Sequence, residues 1–472
     1  MTGGAVGEST GSRAGLAESP AAKGGSSGLE PVLGYRDLVF FYVCALFGIR
    51  LIPLAASVGP SVVVLWVLAL VVFFVPQALT VVDLSTRFPG EGGIYLWSKE
   101  AFGEFHAFIT AWAYWSSGLV FFPSIMLFVA TQAAFVVPGT SHLAAEPAFL
   151  TGVSLAGVAA VFLLNLVGLR VSTVLHNISG VARFVAVGFV VVLGVGSWLK
   201  LGSATDLSWR SWIPSLDTVK DLVFLSTFAY MFSGVEGASN LGDEVKDARR
   251  NIPRAIVTSG GLITGLYVLA SLALLMALSP GELTGLQGFS SAITASATRL
   301  GGATFATWAT SVGSLLLVVV MLGMMSVWFA ATARLPFVIG LDRYLPPLFG
   351  RVHPRFGTPW VSLASLAAAT AFFVVLSGLG GKAEQIYKIL VSLEIVIFFI
   401  PYLYMFSALV RLVGREGAGG AIRVPGGSWG GVLVGCTGLV VTAATLVMAM
   451  IPGEEVENHR FFYYSVFGSL AG

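Results

Sequence analysis

Charged residues are scarce in this chain, and their scarcity excludes the soluble classes of protein. Only 11% of the 472 residues are Asp, Glu, Lys or Arg, whereas 56% are hydrophobic. Soluble domains carry about 25% charged residues. The composition therefore predicts an integral membrane protein in a lipid bilayer. The net charge of +2, without any basic run, gives no reason to expect a nucleic-acid partner.

Cysteine and histidine are also rare, which argues against disulfides, metals and cofactors. The two cysteines, Cys44 and Cys436, both lie in apolar stretches, so we expect buried thiols rather than a disulfide framework. The five histidines are scattered, and neither C-x-x-C nor H-E-x-x-H occurs. We therefore expect no metal site and no cofactor.

Residues 1–30 have no apolar core and are rich in Gly, Ser and Ala. This composition predicts a disordered cytoplasmic tail over 1–33 rather than a cleaved signal peptide. After the tail, apolar stretches of about 20 residues, each long enough to cross a bilayer, follow one another. They predict eleven full spans and a truncated twelfth: 38–58, 61–84, 105–137, 150–167, 174–198, 222–239, 255–278, 303–338, 361–376, 386–410, 429–451 and a last piece from Phe461.

The distribution of Lys and Arg predicts the orientation. If the N-terminus is cytoplasmic, the inner loops hold most of these residues, with Arg249, Arg250 and Arg254 clustered in one of them. Because cytoplasmic loops are enriched in Lys and Arg, we expect a multi-pass cell-membrane protein with its N-terminus inside.

The first ten spans divide into two sets of five. Spans 1 and 6 each carry a glycine break, at Gly48 and Gly234, and spans 3 and 8 are both unusually long. Matching interruptions in two halves of odd span number predict inverted repeats, over about 34–200 and 220–410, with a solute site at the breaks. Residues 411–472 would form accessory helices.

Glu236 lies in an apolar stretch, two residues after Gly234. A carboxylate at the centre of a membrane costs about 2.5 to 3.5 kcal/mol, and glycine lowers helix propensity by about 1 kcal/mol relative to alanine. A broken helix at that depth is tolerated only where it lines a cavity or is buried in protein. The charge and the break together predict a solute-binding site.

Three segments resemble the amino acid–polyamine–organocation (APC) transporters. The segment F-A-Y-M-F-S-G-V-E-G-A-S-N-L-G-D-E-V-K-D-A-R-R-N-I-P-R-A-I, over 228–256, is similar to that family's broken sixth helix and exit loop. The runs 88–95 and 333–359 are similar to two of its cytoplasmic loops. The resemblance, over 34–410, implies an all-α membrane protein of about 12 helices. It also implies the LeuT-type 5+5 inverted repeat, in which the first and sixth helices are broken.

The resemblance also assigns roles in the sixth span. Phe232, Ser233 and Gly234 would present backbone carbonyls to a substrate ammonium. Tyr230 would be an aromatic lid over the substrate, and Glu236 an acid that couples transport to protons. The alternative is that Gly234 only permits close packing and that Glu236 pairs with a buried arginine.

The first span departs from the family's G-x-G-I-F-x-x-P pattern. It reads L-F-G-I-R-L-I-P over 46–53, so that Arg50 replaces the phenylalanine after Gly48 and Ile49. Backbone amides at the break can still bind an anion. Arg50 either contacts a substrate carboxylate, pairs with Glu236 or Glu394, or reaches the membrane surface.

Two further charges are candidates for coupling or gating. Arg183 stands in span 5 where many relatives have a lysine that replaces a sodium ion. Because arginine stays charged, it would be a fixed strut that bonds carbonyls of spans 1 and 8. Burial would favour neutral Glu394, able to carry a proton, whereas a neighbouring arginine would keep it ionised.

The other notable side chains are given structural roles. Trp112, Trp115, Phe121 and Phe122 of span 3 are expected in the core or facing lipid. Tyr402 and Tyr404, after Pro401, are interpreted as interfacial anchors. Asp83 and Arg87 are expected to pair.

These features predict a secondary active transporter of amino acids or related amines, either proton-coupled or an exchanger, and independent of sodium. Its partners would be the small-molecule substrate, protons and the bilayer. A carrier of polyamines or organic cations and a non-transporting solute sensor are the alternatives. A channel would need rings of like residues, and an intramembrane enzyme would need a nucleophile–base pair or metal ligands; neither is evident in the sequence.

Overall fold

The computed structural model describes residues 31–90, 92–214, 226–283, 286–378, 383–416 and 421–451. Of the predicted tail over 1–33, residues 1–30 lie outside these residues, as does the twelfth span from Phe461. The regular secondary structure of these described residues is helical, and their β-type pairing is limited to one isolated bridge between Leu33 and Val245. Ten of the described helices are long and apolar enough to cross a membrane, and they coincide with the predicted spans other than the sixth. The protein is an all-α, multi-pass membrane protein.

The helices of the first half follow the predicted order. They are Tyr35–Leu46 and Ile52–Ala56 (span 1), Val62–Ala69 and Val75–Arg87 (span 2), Ile94–Phe102, Glu104–Ala133 (span 3), Pro147–Val167 (span 4) and Leu169–Leu201 (span 5). Those of the second half are residues 226–231 and the 3-10 helix Val235–Glu244 (span 6), Ala248–Ala277 (span 7), Gly288–Leu341, Trp360–Gly378 (span 9), Ala383–Leu412 (span 10) and Gly427–Ala449 (span 11). Gly302, with φ +76°, divides Gly288–Leu341, and the part that follows it is span 8.

Helix packing relates the two halves. The two most extensive contacts between helices join span 5 to span 8 and span 3 to span 10. An inverted five-span repeat maps span 3 onto 8 and span 5 onto 10, so these two contacts are equivalent under the predicted symmetry.

Span 1 is broken at Phe47 and Gly48. The helix Tyr35–Leu46 ends there, and Gly48 has the non-helical angles φ −81° and ψ +69°. A short 3-10 turn, Ile49–Leu51, leads into the second helix, whose first turn contains Pro53. Proline is tolerated at that place because its missing N–H would have no partner within the helix.

Span 6 is broken at the predicted place. Helical geometry stops after Met231 and resumes as the 3-10 helix Val235–Glu244. Gly234 has φ +115°, in a region that L side chains rarely adopt, and a Cβ added there would lie 2.6 Å from the Trp328 ring. Both conditions require glycine at this position.

Side chains from three other spans hold the last carbonyls of the first half-helix. Cys44 O accepts from Arg183 at 2.7 Å, and Ala45 O accepts from the indole of Trp328 at 3.0 Å. Leu46 O lies 2.6 Å from the hydroxyl of Tyr267. A helix end leaves its final carbonyls without partners in the helix, so these bonds stabilise the break.

One face of the bundle, here the proximal face, carries Gly34 at the start of span 1 and the loop after span 6. Leu33 bridges Val245 there, and Glu244 pairs with Arg334 at 2.6 Å. The predicted Asp83–Arg87 pair is confirmed at 2.5 Å. The opposite face, where Ala56 ends span 1, is the distal face.

Candidate functional site

A small cavity of about 40 Å³ lies between the two breaks. Residues from spans 1, 3, 6, 8 and 10 line it: Ala45, Leu46, Gly48, Arg50, Leu51, Tyr114, Ser117, Gly118, Phe121, Tyr230, Met231, Ser233, Met324, Trp328, Thr332, Glu394 and Phe398. Its wall is mostly apolar and aromatic, with a few polar groups. Such a wall is typical of sites for small molecules.

Five of the predicted site residues line this cavity: Gly48, Arg50, Tyr230, Ser233 and Glu394. The other five, Ile49, Phe232, Gly234, Glu236 and Arg183, are buried behind the lining. Of the four aromatic residues of span 3 that were expected in the core or facing lipid, Phe121 also lines the cavity.

Arg50 forms a buried ion pair with Glu394. Its Nη2 donates to the two carboxylate oxygens at 2.9 and 3.1 Å, and its Nη1 donates to Tyr387 at 3.0 Å and Ser124 at 3.3 Å. The guanidinium also lies 5.8 Å from the centre of the Phe121 ring. Arg50 thus pairs with Glu394, as one of the alternatives predicted, and because it also lines the cavity its contact with a substrate carboxylate stays a prediction.

Glu236 is fully buried and lies on the proximal side of the cavity. Its carboxylate accepts from Tyr402 at 2.6 Å, from Tyr114 at 2.9 Å and from the amide of Gln77 at 3.2 Å. These donors are all uncharged, so the arginine that was the alternative partner of Glu236 is not among them. Tyr114 is the link to the cavity, because it also belongs to the lining.

The interpretation of Tyr402 as an interfacial anchor is wrong. Its side chain has no exposed surface, and its hydroxyl donates to Glu236 and accepts from Gly234 N–H at 2.5 Å. The sequence held a signal for this position. Glu394, Phe398 and Tyr402 are four residues apart, which places them on one face of a helix.

Replacing Tyr402 with phenylalanine is expected to impair transport strongly. The loss of its hydroxyl leaves Glu236 with one donor fewer and Gly234 N–H without an acceptor, at a cost of about 1–3 kcal/mol for each unsatisfied group. Tyr404→Phe is the control, because that half-buried hydroxyl makes only a 3.3 Å contact with His106 among its described contacts. Uptake into vesicles compares the two variants, and equal activity in both would contradict this role of Tyr402.

Arg183 spans the junction of spans 1, 5 and 8. Its guanidinium donates to Cys44 O at 2.7 Å and to Ser179 Oγ at 2.8 Å, and Ser179 in turn donates to Val320 O of span 8 at 3.0 Å. Arg183 therefore forms the predicted strut, with a direct hydrogen bond to span 1 and an indirect link to span 8 through Ser179.

The sequence suggested that backbone amides at the break of span 1 could bind an anion, but the amide of Gly48 is not free to do so. It donates to Tyr267 at 2.9 Å. The oxygen of Tyr267 also lies 2.6 Å from Leu46 O and 2.8 Å from Met231 O, so one phenol bridges both breaks. A hydroxyl has a single proton. One of the two carbonyls therefore has no proton from this phenol at any moment.

Two buried polar groups, each containing one glutamate, lie at the two ends of the cavity. On span 3, Tyr114 contacts Glu236 and Ser124 contacts Glu394. These two positions lie about 15 Å apart along the axis, at 1.5 Å per residue. The cavity thus has the Arg50–Glu394 pair at its distal end and the Glu236 cluster at its proximal end. Within the described residues, no group of three or more His, Cys, Asp or Glu side chains could hold a metal ion.

Comparisons with known proteins find similar chains along most of the sequence. A family profile described as amino acid permease matches residues 33–471. An uncharacterized transporter of Legionella pneumophila is 27% identical, over 93% of this chain and 93% of its own. A probable agmatine/putrescine antiporter of Lactococcus lactis is 24% identical, over 78% of this chain and 77% of its own. A methylthioribose transporter of Bacillus subtilis is 25% identical, over 77% and 79%.

Proposed function

Because the chain belongs to the amino acid permease family, we propose that it is a secondary active transporter of amino acids or related amines. It works by alternating access around the breaks in spans 1 and 6. The observation that carries the proposal is a cavity to which both breaks contribute, through Leu46 and Gly48 from one and Met231 and Ser233 from the other. Discontinuous helices around a central site are the usual construction of such carriers.

Carbonyls at the breaks support recognition of an ammonium group. Leu46 and Met231 both line the cavity, and their carbonyls share the single proton of Tyr267. A substrate ammonium has three N–H donors, and one of them would donate to whichever of these two carbonyls does not accept the proton of Tyr267. Tyr230, half-buried at the cavity wall, would cover the bound substrate.

The same geometry supports a carrier independent of sodium and coupled to protons. Arg183 places a permanent positive charge at the junction of spans 1, 5 and 8, where a sodium ion would be repelled. Glu236, whose described partners are all neutral, is the group that takes up and releases the coupled proton. In this proposal the proximal face is cytoplasmic, because most Lys and Arg of the loops lie on that side.

A polyamine or organic-cation carrier is the second candidate, and the name of one relative, an agmatine/putrescine antiporter, favours it. A solute sensor of the same fold is the third. Binding and transport measurements separate the three.

The test begins with a thermal-shift screen of the purified protein against amino acids, amines and polyamines. A ligand at 100 times its Kd stabilises the folded form by about 2.7 kcal/mol, which raises the melting temperature. Each hit is then measured by counterflow in proteoliposomes, where labelled solute should accumulate in vesicles preloaded with the unlabelled compound. Stabilisation without counterflow would identify a sensor and reject the carrier.

A further inference from the structure

We infer that the Arg50–Glu394 pair selects substrates by charge, so that the cavity accepts zwitterionic compounds and rejects dications. The inference rests on the proposed transport function and names the substrate class of the same site. It separates this chain from the substrates in the name of its agmatine/putrescine relative.

The charges that face the cavity cancel. Among the residues described as lining it, Arg50 and Glu394 are the two with acidic or basic side chains. Both side chains are 1% exposed, and their atoms are 2.9 Å apart. The cavity therefore has no net charge from its wall, and both partners belong to its lining.

A dication would meet an unfavourable balance here. To bind Glu394 it must displace or share the carboxylate with Arg50, which stays protonated at any working pH. The arginine would then lose its counter-charge in a region of low dielectric, and a buried charge without a partner is strongly unfavourable. Two cationic groups on the solute make this worse.

A zwitterion avoids that loss. Its carboxylate can accept from Arg50 while its ammonium donates to Glu394, so every charge keeps a partner of opposite sign. An anion with one ammonium and two carboxylates can make the same exchange, but its second carboxylate then has no partner of opposite charge in the wall. The pair thus determines specificity, because a zwitterion can replace the bonds between Arg50 and Glu394 and a dication cannot.

The experiment measures binding of leucine, glutamate and putrescine to the detergent-purified full chain, by thermal shift, in the wild type and four variants. Arg50→Gln leaves the cavity with a net negative charge, and we expect putrescine to bind about tenfold tighter or better. Glu394→Gln leaves a net positive charge, and glutamate should gain by a similar factor. Arg50→Lys keeps both charges and should retain the wild-type order of the three ligands, whereas the double variant removes both charges and should lose the preference for leucine over putrescine.

A fifth variant covers the case in which the single variants do not fold. Ser117→Asp adds a carboxylate to the cavity lining and leaves the Arg50–Glu394 pair intact. Putrescine should again gain about tenfold, because the added charge changes the balance without breaking a bond of the pair.

Two results would overturn the inference. One is putrescine binding to the wild type as tightly as leucine; the other is an unchanged ligand order in Arg50→Gln, Glu394→Gln and Ser117→Asp. Either would make the pair a strut between spans 1 and 10 and would leave the transport proposal standing. Absence of counterflow for every bound ligand in the wild type would instead reject the transport proposal.

Discussion

Glu236→Gln is expected to abolish uptake driven by a proton gradient while the protein stays folded. An amide has nearly the shape of the carboxylate, but it neither takes up nor releases a proton at working pH. Glu236 accepts bonds from Tyr114, Tyr402 and Gln77, and an amide would turn its NH₂ toward one of these donors. Losing such a bond costs about 1–3 kcal/mol, which most folded proteins survive.

Proteoliposomes with an imposed pH gradient provide the measurement. Uptake by Glu236→Gln should fall to the level seen without a gradient, whereas counterflow, which needs no gradient, should continue. Glu100→Gln is the matched control, because this exposed acid lies away from the cavity and should keep full gradient-driven uptake. Wild-type gradient-driven uptake in the Glu236 variant would reject its coupling role.

Gly234→Ala is expected to eliminate transport and to lower stability. The backbone at Gly234 has φ +115°, and the new Cβ would lie 2.6 Å from the ring of Trp328. Backbone strain of this kind costs about 1–3 kcal/mol, and overpacking adds a similar amount. The ring cannot retreat without consequence, since it lines the cavity and its indole N–H bonds Ala45 O at the other break.

Gly237→Ala is the control three residues further along span 6. A Cβ there would meet Phe41 at 3.7 Å, an ordinary van der Waals distance, and the residue does not have the positive φ of Gly234. Melting temperature in detergent and counterflow in vesicles should therefore be close to those of the wild type. If Gly234→Ala matched this control in both measurements, the fit between Gly234 and Trp328 would not shape the cavity.

The spans and both breaks could be predicted from the sequence because membranes impose strong constraints. An apolar stretch must reach across the bilayer, and a glycine beside an intramembrane acid is rarely accidental. The same constraints drew attention to Arg50, Arg183, Glu236 and Glu394, since a buried charge requires a partner. The structure places Arg50 with Glu394 at one end of the cavity, Glu236 at the other end, and Arg183 at the junction of spans 1, 5 and 8.

The partners of those charges could not be predicted in the same way. Arg50 and Glu394 are 344 residues apart in the chain, and pairing with Glu236 fitted the sequence equally well. Tyr114, Gln77 and Tyr267 were missed because uncharged polar side chains carry no comparable signal when they occur singly in apolar spans. Their importance comes from convergence on one carboxylate or one break, which only the packing of helices decides.

The pairing of Leu33 with the strip 244–246 has a mechanical consequence. Three main-chain bonds of 2.9 to 3.0 Å join the approach to span 1 with the exit of span 6. Any movement that opens the cavity to the proximal side must move the approach to span 1 and the exit of span 6 together, as one unit (the flap), or break these bonds. A shortened polypeptide that starts at residue 31 would keep the flap whole, whereas one that starts at residue 35 would leave its two parts free to swing separately.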